Sequence, residues 1–196
     1  MATNCCSPVK FYCLNEKTFY FVDAETDGDL VDDSFAKSVY QACGLLIRGN
    51  NNKFLVLSDE NEFKAQTLTG TQPECKFNIQ FYNDSTLDGR NGRPVMLYAN
   101  KANGKKMMVS CNDRHEIVPE EMEQLPAAIG VQRHSAVFYR TEVPFSKSNY
   151  MLESSMYQNN FLGFKQEESN HTLSKLVLFP VGKDEVDDRC VINFSQ

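Results

Sequence analysis

The 196-residue chain has no tryptophan, so 14 Phe and 8 Tyr must fill its core together with the aliphatic side chains. It also lacks any run of about 18 apolar residues, the length a membrane-spanning helix requires. No long basic stripe exists to displace counterions, and the net charge is −6, which together exclude nucleic acid as a default partner. The start, Met-Ala-Thr-Asn-Cys-Cys-Ser-Pro, shows no basic segment leading into an apolar one, so a secretory signal is not expected. The three histidines (His115, His134, His171) are scattered, and none stands near a cysteine or histidine at zinc-ligand spacing. No metal or cofactor is expected. Asn91-Gly-Arg-Pro and Ala102-Asn-Gly-Lys are isolated turns with no helix after them, so a phosphate cradle is missing too. A Cys–His pair formed in space stays open, but inert cysteines and surface histidines are the simpler reading. The expectation is a protein that is not an enzyme.

Helical periodicity is almost absent as well. Residues 119–125 carry the best helix signal, with Pro119 at a first-turn position followed by Glu120 and Glu121. Short strand-like runs recur instead, at 44–48, 53–57, 63–68, 76–82, 95–99, 107–111, 136–140, 151–153, 161–165, 175–179 and 191–194. Turn chemistry such as Arg-Gly-Asn-Asn-Asn and Leu-Asp-Gly-Arg-Asn-Gly separates them. This pattern gives an all-β chain, a sandwich or a closed barrel, without choosing between them. No internal sequence repeat stands out. Hydrophobic residues are 41% of the chain, and a chain of this size buries roughly 70% of its unfolded surface, so folding needs no disulfide. Seven cysteines (Cys5, Cys6, Cys13, Cys43, Cys75, Cys111, Cys190) form an odd set in strand-like context, which favours free thiols and cytosolic synthesis. On that reading the sequons at Asn83, Asn170 and Asn193 stay unmodified.

Charge is distributed unevenly. Residues 1–33 hold two basic against seven acidic side chains, a net of −5, which leaves −1 for the other 163. Within this acidic segment, 9–14 and 18–22 read as two strands joined by Asn15-Glu16-Lys17, a plausible hairpin. Asp23-Ala-Glu25-Thr-Asp27-Gly28 imitates the start of a calcium loop, but Ser34 stands where that loop needs a bidentate glutamate. A solvated acidic linker, open to proteolysis, accounts for it better.

The most informative stretch is 149–163, Asn-Tyr-Met-Leu-Glu-Ser-Ser-Met-Tyr-Gln-Asn-Asn-Phe-Leu-Gly. It reads as two strands joined by a polar turn, with asparagines suited to φ > 0. The set Leu152, Glu153, Ser154, Ser155, Tyr157, Phe161 and Leu162 closely resembles the signature of the interleukin-1 cytokine family. Lys10-Phe11, Thr18-Phe19-Tyr20-Phe21 and the acidic run after them resemble a leader found in that family, so the resemblance spans essentially the whole chain. It implies a β-trefoil of about 12 strands over 34–196, behind a propeptide over 1–33. It also implies a pro-inflammatory cytokine, cytoplasmic as a precursor and released by a non-classical route after an inflammatory caspase removes the propeptide. The implied partners are a primary and an accessory immunoglobulin-domain receptor, and a soluble binding protein. Monomeric action without membrane insertion is expected.

Caspases require aspartate before the cut, because a basic pocket pairs bidentately with a carboxylate. Leu30-Val31-Asp32-Asp33-Ser34 offers an apolar P4 and a small P1′ for a cut after Asp33, at the position where the family's leader ends. Family stretches bearing receptor-facing basic residues match Leu46-Ile47-Arg48-Gly49 and Val109-Ser110-Cys111-Asn112. The resemblance thereby nominates Arg48 and Arg114, with Lys53, Lys101 and Lys105 beside them, while Asn52 and Thr172 stand where the family tends toward an acid. Two other classes remain open: an intracellular interaction module, and a glycan- or heparin-binding trefoil.

Overall fold

A computed structural model describes residues 9–15, 18–23, 34–68, 73–85, 90–131, 133–146, 148–168, 170 and 172–195. The chain divides into two compact units, Met1–Val31 and Asp32–Gln196. In the first, strands β1 (Val9–Asn15) and β2 (Thr18–Asp23) pair antiparallel from Val9 opposite Asp23 to Asn15 opposite Thr18. The expected hairpin is present.

The second unit holds thirteen strands in one continuous sheet among its described residues. They are β3 (Phe35–Gly49), β4 (Phe54–Leu57), β5 (Phe63–Gln66), β6 (Lys76–Asp84), β7 (Arg93–Asn100) and β8 (Lys106–Cys111). After these come β9 (Ile117–Met122), β10 (Ala128–Ile129), β11 (Phe138–Glu142), β12 (Asn149–Ser154), β13 (Asn160–Gln166), β14 (Ser174–Pro180) and β15 (Ile192–Ser195). Following the pairings from β3 to β6, β7, β11, β12 and β15 returns to β3, so six strands close a barrel. Closure removes the exposed edges that an open sheet would present. The hairpins β4–β5, β8–β9 and β13–β14 lie outside the ring and cap one end. Apart from the two-residue β10, this makes three four-strand units in succession, which is a β-trefoil.

The alternation of strand side chains fills the barrel. Ile47, Leu55, Phe77, Leu97, Val109, Phe138, Leu152 and Leu162 belong to one cluster, each at most 1% exposed. A second cluster on the outer wall joins Phe35, Tyr82, Tyr98 and Tyr139, and a small third one holds Met151, Val181 and Cys190. Cys75, Cys111 and Cys190 are buried free thiols, whereas Cys43 is exposed. Burial pushes the Cys111 thiol up to about 11 and that of Cys190 to about 12, so both stay protonated.

The relation between the first two units is written in the turns. Residues 49–53, 58–62, 101–105 and 112–116 adopt the same five-residue hairpin turn. In each, the first N–H bonds the fifth carbonyl and the fourth N–H bonds the first carbonyl. The fourth residue is left-handed every time: Asn52, Asn61, Gly104 and His115, at φ 60°, 61°, 81° and 62°. These turns occupy equivalent places in the first two units. The third unit departs from the pattern, with Asn159 as its left-handed turn residue at φ 59°.

The helix expected over 119–125 is not formed. Pro119 sits inside β9, opposite Val109. β9 pairs with β8 alone at the end of the sheet path, and an edge strand tolerates a residue without an N–H. The acidic pair that suggested a helix N-terminus serves instead as an acceptor for neighbouring side chains. Glu120 accepts from Ser110 Oγ at 2.7 Å, and Glu121 meets two lysines.

Candidate functional site

The family-signature residues are held by structural duties. Leu152 and Leu162 are core residues. Ser154 Oγ accepts from the N–H groups of Met156 and Tyr157, and Ser155 Oγ accepts from His134 N while donating to His134 O. Glu153 accepts from Asn159 N at 2.7 Å, steadying the left-handed turn. The Tyr157 hydroxyl donates to Asn112 O at 2.7 Å, and its ring stacks on His115 at 3.7 Å. Phe161 packs against the third cluster. These residues build the junction of the second and third units.

The basic positions differ in what they leave available. Lys101 and Lys105 close the β7–β8 turn, and both reach Glu121, at 3.1 and 2.7 Å. Hydrogen bonds from Lys105 and Lys101 hold the Glu121 carboxyl below its ordinary range, so the trio carries one net charge. Lys53 Nζ donates to Ser174 Oγ at 2.9 Å. Arg48 is exposed on β3, between Phe54 of β4 and Asn193 of β15. Arg114 is exposed in the 112–116 turn, its N–H bonded to Asn112 Oδ1. Of the segment Leu30, Val31, Asp32, Asp33 and Ser34, only Ser34 lies within the described residues. It is buried, and its carbonyl accepts from both Ser85 N and Ser85 Oγ.

Two further arginines without an ion pair among the described residues lie elsewhere, at the barrel end opposite the hairpin cap. Arg93 continues the inward-facing series Val95, Leu97, Ala99 of β7, and Arg140 stands two residues past inward Phe138 on β11. Each guanidinium lies between two rings: Arg93 between Tyr40 (5.1 Å) and Phe81 (4.6 Å), Arg140 between Phe81 (4.9 Å) and Tyr150 (4.4 Å). Tyr150 then meets Phe194 at 5.4 Å. Tyr40, Phe81, Arg93, Arg140, Tyr150 and Phe194 come one from each of the six barrel strands. Together they form a rim of four rings and two cations around the mouth.

Among the described residues neither arginine has a carboxylate within ion-pair distance. Burial lowers the pKa of Arg140; Tyr150 and Glu142 oppose the shift and the neighbouring Arg93 adds to it. A guanidinium remains charged under those influences. Gly92 permits this geometry. At φ 106° its missing Cβ would stand 2.8 Å from Arg140 O, so only glycine lets β7 start this close to β11.

An arginine between aromatic rings has its stem desolvated and its fork oriented, ready for a carboxylate brought by another molecule. Beside the mouth, Val39 is 93% and Tyr40 63% exposed on the bulged part of β3, adding apolar area.

A six-strand barrel capped by three hairpins is a β-trefoil, and the residues at its second joint are those that resemble the interleukin-1 family signature. The sequence relatives of the chain are interleukin-18 proteins. Dog interleukin-18 is 27% identical over 194 residues, covering 96% of this chain and 92% of that protein. Pig interleukin-18 is 29% identical over 195 residues, covering 96% and 93%. Cattle interleukin-18 is 29% identical over 180 residues, covering 89% and 86%. In fold, the crystal structure of the chicken cytokine interleukin-1β superposes with a TM-score of 0.57 at 20% identity, covering 83% of this chain and 99% of that one. No family model matches the chain. The relatives are cytokines, not enzymes.

Proposed function

We propose that this chain is a cytokine precursor of the interleukin-18 type, made in the cytosol and activated by an inflammatory caspase cutting after Asp33. The freed domain leaves by a non-classical route and engages a primary immunoglobulin-domain receptor, then an accessory receptor. The single observation that carries the receptor reading is the pair Arg93 and Arg140, held between rings at the barrel mouth without a carboxylate partner. An acidic receptor surface fits that arrangement, since charge across an interface steers encounter and desolvated pairs slow dissociation. Arg48 and Arg114 serve as outlying contacts, while Lys101 and Lys105 contribute less because Glu121 holds them. The acidic propeptide keeps the precursor silent until it is removed. The test is binding of the primary receptor ectodomain to the intact chain and to the chain cleaved after Asp33. Binding by the cleaved form alone supports the reading, and equal binding by both removes the latency.

A polyanion-binding role has one feature in its favour. Lys64, Lys175 and Lys165 stand opposite one another across β5, β14 and β13. Lys64 is already paired with Glu60 and Glu62, which weakens the row, and failure to bind heparin at physiological salt would dismiss it.

A further inference from the structure

On the outer wall of the barrel lies a groove of about 640 Å³, bounded by the ends of β11 and β12 and by the loop after β14. Its floor is the exposed side of the third hydrophobic cluster, Met151, Val143 and Phe161. Val186, 48% exposed, forms its apolar far wall. Directly beside Pro144 at its lip, Phe145 is fully exposed and left-handed, at φ 62°. Phenylalanine gains nothing from that backbone region, which suits Gly or Asn, and an unburied ring gains nothing from water. Both features are unfavourable in the isolated chain, and a partner that covers the ring would offset the cost of its exposure.

Charge around the groove is one-sided. Four carboxylates line it, Glu142, Glu153, Asp184 and Glu185, and none takes part in an ion pair among the described residues. Glu153 and Glu185 each accept one backbone N–H, from Asn159 and Gly182. Two cations face them. These are Lys183 and Arg90, which donates to Ser154 O at 3.0 Å and lies over Tyr139, so the four carboxylates still leave the groove net acidic.

We propose that this groove docks an extended segment of a partner protein whose apolar side chains are flanked by lysine or arginine, with Phe145 as the anchoring ring. Apolar contacts on Met151 and Phe161 would supply affinity, and the carboxylate rim would select against acidic segments. This surface is distinct in charge from the barrel mouth, which calls for an acidic partner, and the proposal does not depend on the receptor reading.

The test uses the full chain and a labelled short peptide alternating Leu and Lys, read by fluorescence anisotropy, with a Leu–Glu peptide as the control. The expected result is saturable binding of the Leu–Lys peptide only. Phe145→Gly should weaken it about tenfold or more, while the melting temperature of that variant stays equal or rises because the turn is relieved. The double change Asp184→Lys, Glu185→Lys should weaken it comparably. Binding unaffected by Phe145→Gly, or equal for the two peptides, overturns the proposal. So does sedimentation showing a dimer that Phe145→Gly abolishes, which would give the groove to a second copy of the chain.

Discussion

Two pairs of cations in this molecule look alike in sequence and behave oppositely in the fold. Lys101 and Lys105 lie on an exposed turn and share the carboxylate of Glu121. Arg93 and Arg140, 47 positions apart, converge on the barrel mouth, where rings and not carboxylates surround them. The first pair is half neutralised locally by an acid on the neighbouring strand. The second is charge held in reserve. What a basic residue offers a partner is therefore decided by which strand stands next to it, and not by its own exposure.

The largest effect should come from breaking the second pair. Arg93→Ala or Arg140→Ala should each reduce affinity of the cleaved chain for the primary receptor by about tenfold or more, read by surface plasmon resonance. An unchanged Kd for both would place the receptor elsewhere. Gly92→Ala tests what brings the pair together. Its new Cβ must push against Arg140 O, so stability should fall by about 1–3 kcal/mol in urea unfolding. A neutral outcome would mean that the β7–β11 approach is loose.

The first pair should be nearly silent. Lys101→Ala with Lys105→Ala should change receptor affinity by less than about threefold, as exposed ion pairs contribute little. A pH series sharpens the same point, because Glu121 has a depressed folded pKa. Its contribution is present above its unfolded pKa and is lost as pH falls through the folded value. Being exposed, it should leave only a slight acid-side drop in melting temperature, which Glu121→Gln abolishes. His134 should produce the larger acid sensitivity. Burial lowers its pKa against the opposing charge of Glu120, and its Nδ1 accepts from Ala136 N, so neutral imidazole is the folded form. Stability it confers is complete above the unfolded pKa and declines as pH falls from there through the lowered folded value. His134→Gln should flatten that part of the curve. An unchanged slope would show that His134 titrates freely.

Much of the fold was legible in the residues. Strand-length apolar runs and Asn-Gly turns mark the hairpins, and the signature stretch around Leu152 marks the joint where the third unit begins. The relation between the units was not legible, because what the first two share is the left-handed fourth residue of a turn, and the third unit departs from that pattern. Asn52, Asn61, Gly104 and His115 satisfy that requirement with three different side chains. The 119–125 segment misled for a related reason. Proline followed by two glutamates marks a helix start only if its neighbours do not recruit it into a sheet, and β8 does so here. Arg93 and Arg140 escaped notice because each is one cation in a strand. Their signal was phase: Arg93 continues the inward series Val95, Leu97, Ala99, where a charge is out of place unless the barrel end is used.

The most direct test of the account is binding of the primary receptor ectodomain to three proteins measured side by side: the intact chain, the chain cleaved after Asp33, and the cleaved chain carrying Arg93→Ala and Arg140→Ala. The account predicts tight binding by the cleaved chain, little by the intact one, and a loss of about tenfold or more in the double variant, whose single effects are coupled through the shared Phe81 ring. Binding by the double variant as tight as by the cleaved chain would contradict it, however well the trefoil itself is formed.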